Sequence, residues 1–299
     1  VLLTRRIPSA VLARLETACA VDLVEDPPLA ADALRSRVRG KQALICQLTD
    51  RIDAPVIEAG RDLKIVANMA VGYDNIDVAA ATQRGIAVTN TPDVLTEAVA
   101  EFTWGLILAA ARRIAEGDRL VRRGAWKGWA LDFMLGTELR GKQLGLVGAG
   151  RIGRAVAAKA PAFGMTAVFA KRDMSLDQLL VSSDVVSIHA PLTAETRHLI
   201  DRRALARMKR SAILVNTARG PIVDEEALAW ALKERLIAAA ALDVYEREPA
   251  VHAALLEMEN IVVAPHLGSA TRETRTAMAD LAVGNVLAVL QGRPALTPV

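Results

Sequence analysis

The chain has 299 residues, 52% of them hydrophobic and 24% charged, with a net charge of +3. That length holds two domains with cores of their own, and the composition is that of an ordinary globular protein. Its cations are scattered: Lys171-Arg172 and Arg202-Arg203 are short pairs rather than a basic stripe, which argues against nucleic acid as a partner.

The most apolar run, Leu106 to Ala111, is far shorter than a bilayer span and is flanked by Glu101 and Arg112, so no membrane segment is expected. Cys19 and Cys46 form neither a CxxC nor a metal-ligand spacing. They read as reduced structural thiols in a cytoplasmic protein that holds no metal. No signal peptide is visible. Val1 already lies in a strand pattern, so a short N-terminal piece is expected to be missing.

Strand and helix patterns alternate along the chain, the signature of α/β architecture with parallel sheets. The first series has strands at 1–4, 21–24, 42–47, 63–68 and 86–90, with helices after Pro8, over 29–38, and from the loop VGYDNID (71–77) to Gly85. The dipeptide Thr91-Pro92 reads as a boundary. A long helix is expected from Glu97 to Arg123, then a Gly- and Trp-rich loop over 124–140, too long for a plain connector. The second series has strands at 143–147, 166–170, 184–188, 212–216, 239–244 and 261–265. Its helices include 175–180 and 224–235, the latter capped by Asp224. A last helix over 271–290 has no strand after it and is expected to return to the first domain. The expected organisation is 1–93 as a first substrate-binding part, 94–271 as an NAD(P)-binding Rossmann domain, and 272–299 rejoining the first part. Both domains are Rossmann-like or flavodoxin-like, with the active site in the cleft between them and closure through hinges near Thr91-Pro92 and Ser269–Thr271.

Gly148-Ala149-Gly150-Arg151-Ile152-Gly153 is a GxGxxG between an apolar strand and a helix, the context a dinucleotide needs. Gly148 permits the tight turn, Gly150 lets backbone approach the pyrophosphate, and Gly153 lets helix pack on strand. The helix N-terminus adds N–H groups for the phosphates. The second strand ends in Phe169-Ala170-Lys171-Arg172, two cations where an NAD enzyme usually has an acid. This predicts NADPH in preference to NADH, unless the two are only solvated loop charges. The 15 or so residues of a helix and third strand that should follow are absent. Either the unit is truncated or a segment is missing from the sequence, and Asp173 has no evident role.

Three further residues stand just past strand ends, where open α/β sheets bind ligands: Arg219, Glu248 and His266. Reduction of a carbonyl puts negative charge on oxygen and calls for a proton donor beside a fixed cation. A carboxylate next to a histidine raises its pKa and orients the ring, and an arginine offers a planar fork to a carboxylate. Singly, each could be a turn residue, a loop acid or a satisfied polar group; behind a dinucleotide motif they form a set. His189 ends a strand and reads as structural or cofactor-side, while His198 and His252 read as surface residues.

The runs VGYDNID (71–77), TPDVLTEAVAE (91–101), SDVVSIHAPLT (183–193), NTARG (216–220), LDVYEREP (242–249) and APHLGSAT (264–271) resemble, in order and over nearly the whole chain, the D-2-hydroxyacid dehydrogenase family. The segment RRGAWKGW (122–129) is most similar to its glyoxylate/hydroxypyruvate reductases. The resemblance implies NAD(P)H-dependent reduction of a small 2-oxo acid. In it Arg219 pairs with the substrate carboxylate and 2-oxo oxygen, His266 is the acid/base, and Glu248 hydrogen-bonds the histidine. Asp243 would hold the nicotinamide carboxamide. Backbone N–H groups at Val71 and Gly72 would hold the substrate carboxylate, with Ser269 as a nearby polar contact. Trp126 and Trp129 resemble tryptophans that reach a neighbouring subunit's active site. The cofactor set extends to Thr96, Arg151, Ile152, His189, Ala190, Pro191, Thr196, Thr217, Ala218 and Gly268, besides the motif glycines, Lys171, Arg172, Asp243 and His266.

A homodimer is expected, from the apolar face Phe102, Leu106 and Ala109–Ala110 beside the tryptophan loop. The alternatives are a reductase of pyruvate, phenylpyruvate or 3-phosphohydroxypyruvate on the same scaffold, or a corepressor-like protein that senses the dinucleotide. For the phosphorylated substrate, 68–71 offers no extra cation.

Overall fold

A computed structural model describes residues 1–25 and 29–299. The chain divides into two compact units, Val1–Leu95 with Ala270–Val299, and Thr96–Ser269.

In the first unit β1 (Leu2–Leu3), β2 (Asp22–Leu23), β3 (Ala43–Cys46), β4 (Ile65–Asn68) and β5 (Ala87–Thr89) form one parallel sheet, ordered β2-β1-β3-β4-β5. Between them run α1 (Ser9–Glu16), α2 (Ala31–Arg37), α3 (Ala54–Ala59) and α4 (Val78–Gln83). The strands are apolar on both faces because both faces are covered. One face packs Leu44, Val66 and Val88 against Val56 and Ile57; the other packs Leu3, Ile45 and Ile65 against Ala279, Ala282, Val283 and Val286 of the last helix, Arg272–Leu290. Asp53 and Asp77 cap α3 and α4 through Val56 N and Ala80 N.

The second unit holds α5 (Thr96–Ala111), α6 (Ile114–Arg122), β6 (Gln143–Val147), α7 (Arg151–Lys159), β7 (Thr166–Phe169), α8 (Leu176–Ser182), β8 (Val185–Ile188), α9 (Arg202–Arg207), β9 (Ile213–Asn216), α10 (Glu225–Lys233), β10 (Ala239–Leu242), α11 (Ala253–Leu256) and β11 (Ile261–Val263). The last helix of the chain is therefore α12. The six strands are parallel in the order β11-β10-β9-β8-β6-β7. The order reverses at β6, which lies between β7 and β8; ligands of open α/β sheets bind beyond the carboxyl ends of strands at such a switch point.

The long helix expected over Glu97–Arg123 is two helices. Thr137 N donates to the Ala111 carbonyl at 2.7 Å, and a Cβ on Gly136 would meet that oxygen at 2.5 Å. A carbonyl taken by the returning chain cannot continue the ladder, and Arg113 turns into the left-handed region at φ 53°.

The segment after β7 is short as folded. Ala170 bridges Met174 in parallel, a single-residue remnant of strand pairing, and Lys171 N donates to Met174 O at 2.8 Å. Asp173 has a role here: its carboxylate accepts Phe169 N–H at 2.7 Å and closes the turn.

Candidate active site

The glycine motif takes three different constraints. Gly148 has φ 114°, open to glycine, and a Cβ there would lie 2.6 Å from the His189 carbonyl carbon. A Cβ on Gly153 would collide with the Gly148 carbonyl oxygen. Gly150, the N-cap of α7, faces open space instead. A turn pressed against the end of β8, with room in front of a helix N-terminus, fits the pyrophosphate of a dinucleotide. Arg151 and Ile152 open α7 behind it.

Around that turn, His189 Nε2 lies 2.9 Å from Ser187 Oγ, and burial of the ring pushes its pKa down to about 3, so it stays neutral. Thr196 Oγ donates to Pro191 O at 2.7 Å and accepts from Thr193 N, fixing the loop that continues from Ala190. Thr217 Oγ meets Thr103 Oγ of α5 at 3.0 Å, and Thr96 begins that helix. Lys171, with φ 65°, and Arg172 are exposed at the end of β7; Arg172 also lies 5.3 Å above the Phe169 ring. The Lys171 charge is felt by Glu195.

The three residues expected to carry the chemistry, Arg219, Glu248 and His266, lie on the loops after β9, β10 and β11. His266 Nδ1 and Glu248 Oε2 are 2.9 Å apart, with side chains 27% and 25% exposed. Burial works to raise the Glu248 pKa, but the hydrogen bond and charge of His266, the Tyr245 N–H and the Arg219 charge outweigh it, and the carboxyl sits below its usual range. His266 has φ 56°. Asp243 holds it there: its carbonyl accepts His266 N at 2.9 Å, and its carboxylate accepts Leu267 N and Gly268 N at 2.6 and 2.8 Å. Asp243 is buried, and that burial pushes its pKa up against the pull of the two N–H groups and of His266. Ser269 follows, partly buried.

Arg219 follows an Asn-built turn. Asn216 Nδ2 donates to Arg219 O at 2.9 Å, and Asn216 Oδ1 accepts Ala218 N at 3.0 Å. The Arg219 guanidinium donates to Ala218 O. Gly220 packs against the Tyr245 backbone so closely that a Cβ would overlap it. Tyr245 is buried, donates to Ala264 O at 2.8 Å, and burial pushes its pKa up to about 12.

Sequence reasoning missed Asn216, Tyr245 and Glu246; the Asn that opens NTARG was the available signal for the first. It also placed His198 and His252 on the surface. Both are partly buried, with the His198 side chain 38% exposed and its Nε2 3.0 Å from Glu246 Oε2, while the His252 backbone N donates to Glu225 Oε2 at 3.1 Å.

Within the first unit, Val71 O accepts Asn90 Nδ2 and Gly72 O accepts Asn68 Nδ2, both at 2.8 Å. In a trans peptide the N–H points opposite the C=O, so the Gly72 and Tyr73 N–H groups face away from those asparagines. Trp126 and Trp129 are exposed, and Trp126 Nε1 donates to Gly128 O.

Residues 104–268 match the family model for D-isomer specific 2-hydroxyacid dehydrogenase, NAD binding domain. The chain belongs to this family. The dehydrogenase is 49% identical over 317 aligned positions to a glyoxylate reductase of Thermofilum pendens, covering 99% of this chain and 93% of that protein. It is 52% identical to one of Aeropyrum pernix, over 91% of this chain and 86% of that protein. Among solved structures, a protein of Thermus thermophilus superposes with a TM-score of 0.95 at 47% identity, covering 100% and 99% of the two chains. An NADPH-dependent glyoxylate/hydroxypyruvate reductase of Sinorhizobium meliloti, solved with NADP and malonate, superposes at 0.88 with 36% identity, covering 100% and 95%. The Rossmann-type fold read from the sequence is thus the fold of the dehydrogenase. Among the described residues no helix is long and apolar enough to cross a membrane.

Proposed function

We propose that the dehydrogenase reduces a short 2-oxo acid, glyoxylate or hydroxypyruvate, to the D-2-hydroxy acid, with NADPH as the preferred reductant. The observation that carries this reading is the carboxylate-backed imidazole of His266 on a loop held by Asp243, at the same carboxyl edge of one parallel sheet as a glycine turn with room for a dinucleotide.

A bound nicotinamide dinucleotide supplies the reducing equivalent to the carbonyl carbon. His266 donates the proton to the carbonyl oxygen from Nε2, since Nδ1 is engaged by Glu248. Glu248 stabilises the imidazolium before transfer and fixes the ring. Arg219 holds the substrate carboxylate and steadies charge on the oxygen. Val71, Gly72 and Ser269 take the remaining substrate contacts that the family resemblance gives them, and Asp243, beyond holding its loop, takes the nicotinamide carboxamide.

The preference for NADPH rests on Lys171 and Arg172, exposed where a 2′-phosphate would lie. The face expected for a homodimer is not open, since Leu106 and Ala110 are buried in the core of the unit and Phe102 packs against it; a homodimer is supported instead by apolar side chains left open on α6 and the loop after it, where Ile114, Val121, Trp129, Leu131 and Leu135 are 57–82% exposed. Such a face is buried by a second copy, with Trp126 and Trp129 near the partner's substrate. Both cysteines are free, which fits a reducing, cytoplasmic compartment.

The test is a panel of glyoxylate, hydroxypyruvate, pyruvate, phenylpyruvate and 3-phosphohydroxypyruvate, each with NADPH and with NADH. The expected result is the highest kcat/KM for glyoxylate or hydroxypyruvate with NADPH, and a D product from hydroxypyruvate. Cofactor binding without oxidation by any of the five would overturn the reading in favour of a dinucleotide sensor.

A further inference from the structure

The loop 245–252 carries Glu248 and is exposed over 247–250. Both of its ends are fastened to one buried side chain. Glu225, the first residue of α10, is 6% exposed. Its Oε1 accepts Glu246 N at 2.6 Å and its Oε2 accepts His252 N at 3.1 Å. Glu246 answers: its Oε1 accepts Glu225 N at 2.9 Å, and its Oε2 lies 3.0 Å from His198 Nε2. Between the two fastened ends, Glu248 spends Oε1 on Tyr245 N and Oε2 on His266.

A carboxylate offers two acceptor atoms, and here each holds a different end of one loop. A glutamine of the same shape would set an NH2 against one of those N–H donors and release that end. Burying a carboxylate costs stability unless it is fully hydrogen-bonded. A hydroxyl or apolar residue at the start of α10 would avoid that cost, but neither reaches both ends of the loop.

We propose that Glu225, with Glu246 as its reciprocal partner, is a positioning residue for the general acid: it sets the loop so that Glu248 meets His266 Nδ1. The proposal rests on the functional reading above. The groups facing the Glu248–His266 pair are Asp243, Arg219 and Tyr245; those facing Glu246 are Glu225, His198 and Arg197.

The experiment compares Glu225→Gln, Glu225→Ala and Glu246→Gln with Glu248→Gln in the full chain. Two readouts are taken: steady-state kinetics, and NMR titration of the imidazoles, of which the chain has four. The expected result is a loss of kcat of about 10- to 100-fold, the effect of a displaced catalytic group. KM and NADPH affinity should stay within about twofold, and the His266 titration should move toward that of Glu248→Gln. A variant that merely unsettled the fold would lose NADPH affinity as well. Where Glu225→Ala does not fold, the two Gln variants decide. Folded variants with wild-type kcat and an unmoved His266 titration would overturn the proposal. A wild-type chain that reduces no 2-oxo acid would sink the functional reading instead, while the His266 titration would still decide whether Glu225 sets the pair.

Discussion

Glu248 and His266 are 18 residues apart in the chain and 2.9 Å apart in space, carboxylate Oε2 to imidazole Nδ1. That contact leaves Nε2 as the ring nitrogen for the proton transfer proposed above.

Glu248→Gln keeps a polar side chain and removes the charge. The expected loss in kcat is about 10- to 100-fold with NADPH affinity unchanged, read by steady-state kinetics and calorimetry. The pair also has a pH signature. The folded Glu248 carboxyl titrates below its usual value, and the unfolded one near about 4.3. A depressed folded pKa stabilises the protein fully above the unfolded value, and that contribution is lost as pH falls through the folded one. The part of the melting-temperature difference between wild type and Glu248→Gln that comes from this carboxyl should therefore shrink as pH falls below about pH 4.

Gly150→Ala and Gly153→Ala separate two uses of one motif. Gly150 faces open space and has an ordinary φ of −70°, so alanine should leave the melting temperature unchanged and weaken NADPH binding, because the methyl group stands where the pyrophosphate comes. At Gly153 a Cβ strikes the Gly148 carbonyl, so alanine should lower both stability and affinity. Thermal melts and cofactor titration of the two variants check this; equal losses in both would contradict it.

Lys171→Asp with Arg172→Ser replaces two exposed cations at the end of β7 by the acid usual in NAD enzymes. The ratio of kcat/KM for NADPH over NADH should fall by about tenfold or more, one charge-assisted contact being worth about 1.5–3 kcal/mol. An unchanged ratio would place the determinant elsewhere.

Much of this was legible because it is local. Four of the six strands of the second unit are apolar runs followed within three residues by a proposed functional residue: Gly148 after β6, Lys171 after β7, Arg219 after β9, His266 after β11. What stayed hidden depends on partners distant in sequence. The break at Arg113 comes from Gly136–Thr137 reaching the Ala111 carbonyl. The hold on His266 comes from Asp243, 24 residues upstream of Leu267. Glu225 reads as an unremarkable helix-start acid until the loop after β10 is seen folded onto it. Helix α3 escaped notice because it is six residues long with Pro55 inside its first turn.

Away from the site, Asp22 accepts hydrogen bonds from Arg37 and pairs with Lys41 at 2.7 Å. The hydrogen bond from Arg37 is the main cause holding its pKa at about 2, against a usual 3.8. The stabilisation is therefore complete above about pH 4 and lost as pH falls toward 2. Asp22→Asn should melt earlier than wild type at pH 7, with the difference vanishing across that window.

The most direct test is His266→Ala, measured by NADPH oxidation with glyoxylate alongside cofactor titration. The expected result is turnover lowered by about 10² to 10⁴ with NADPH affinity nearly intact, as for removal of a general acid. Turnover near that of the wild-type chain would contradict the assignment of His266 as proton donor.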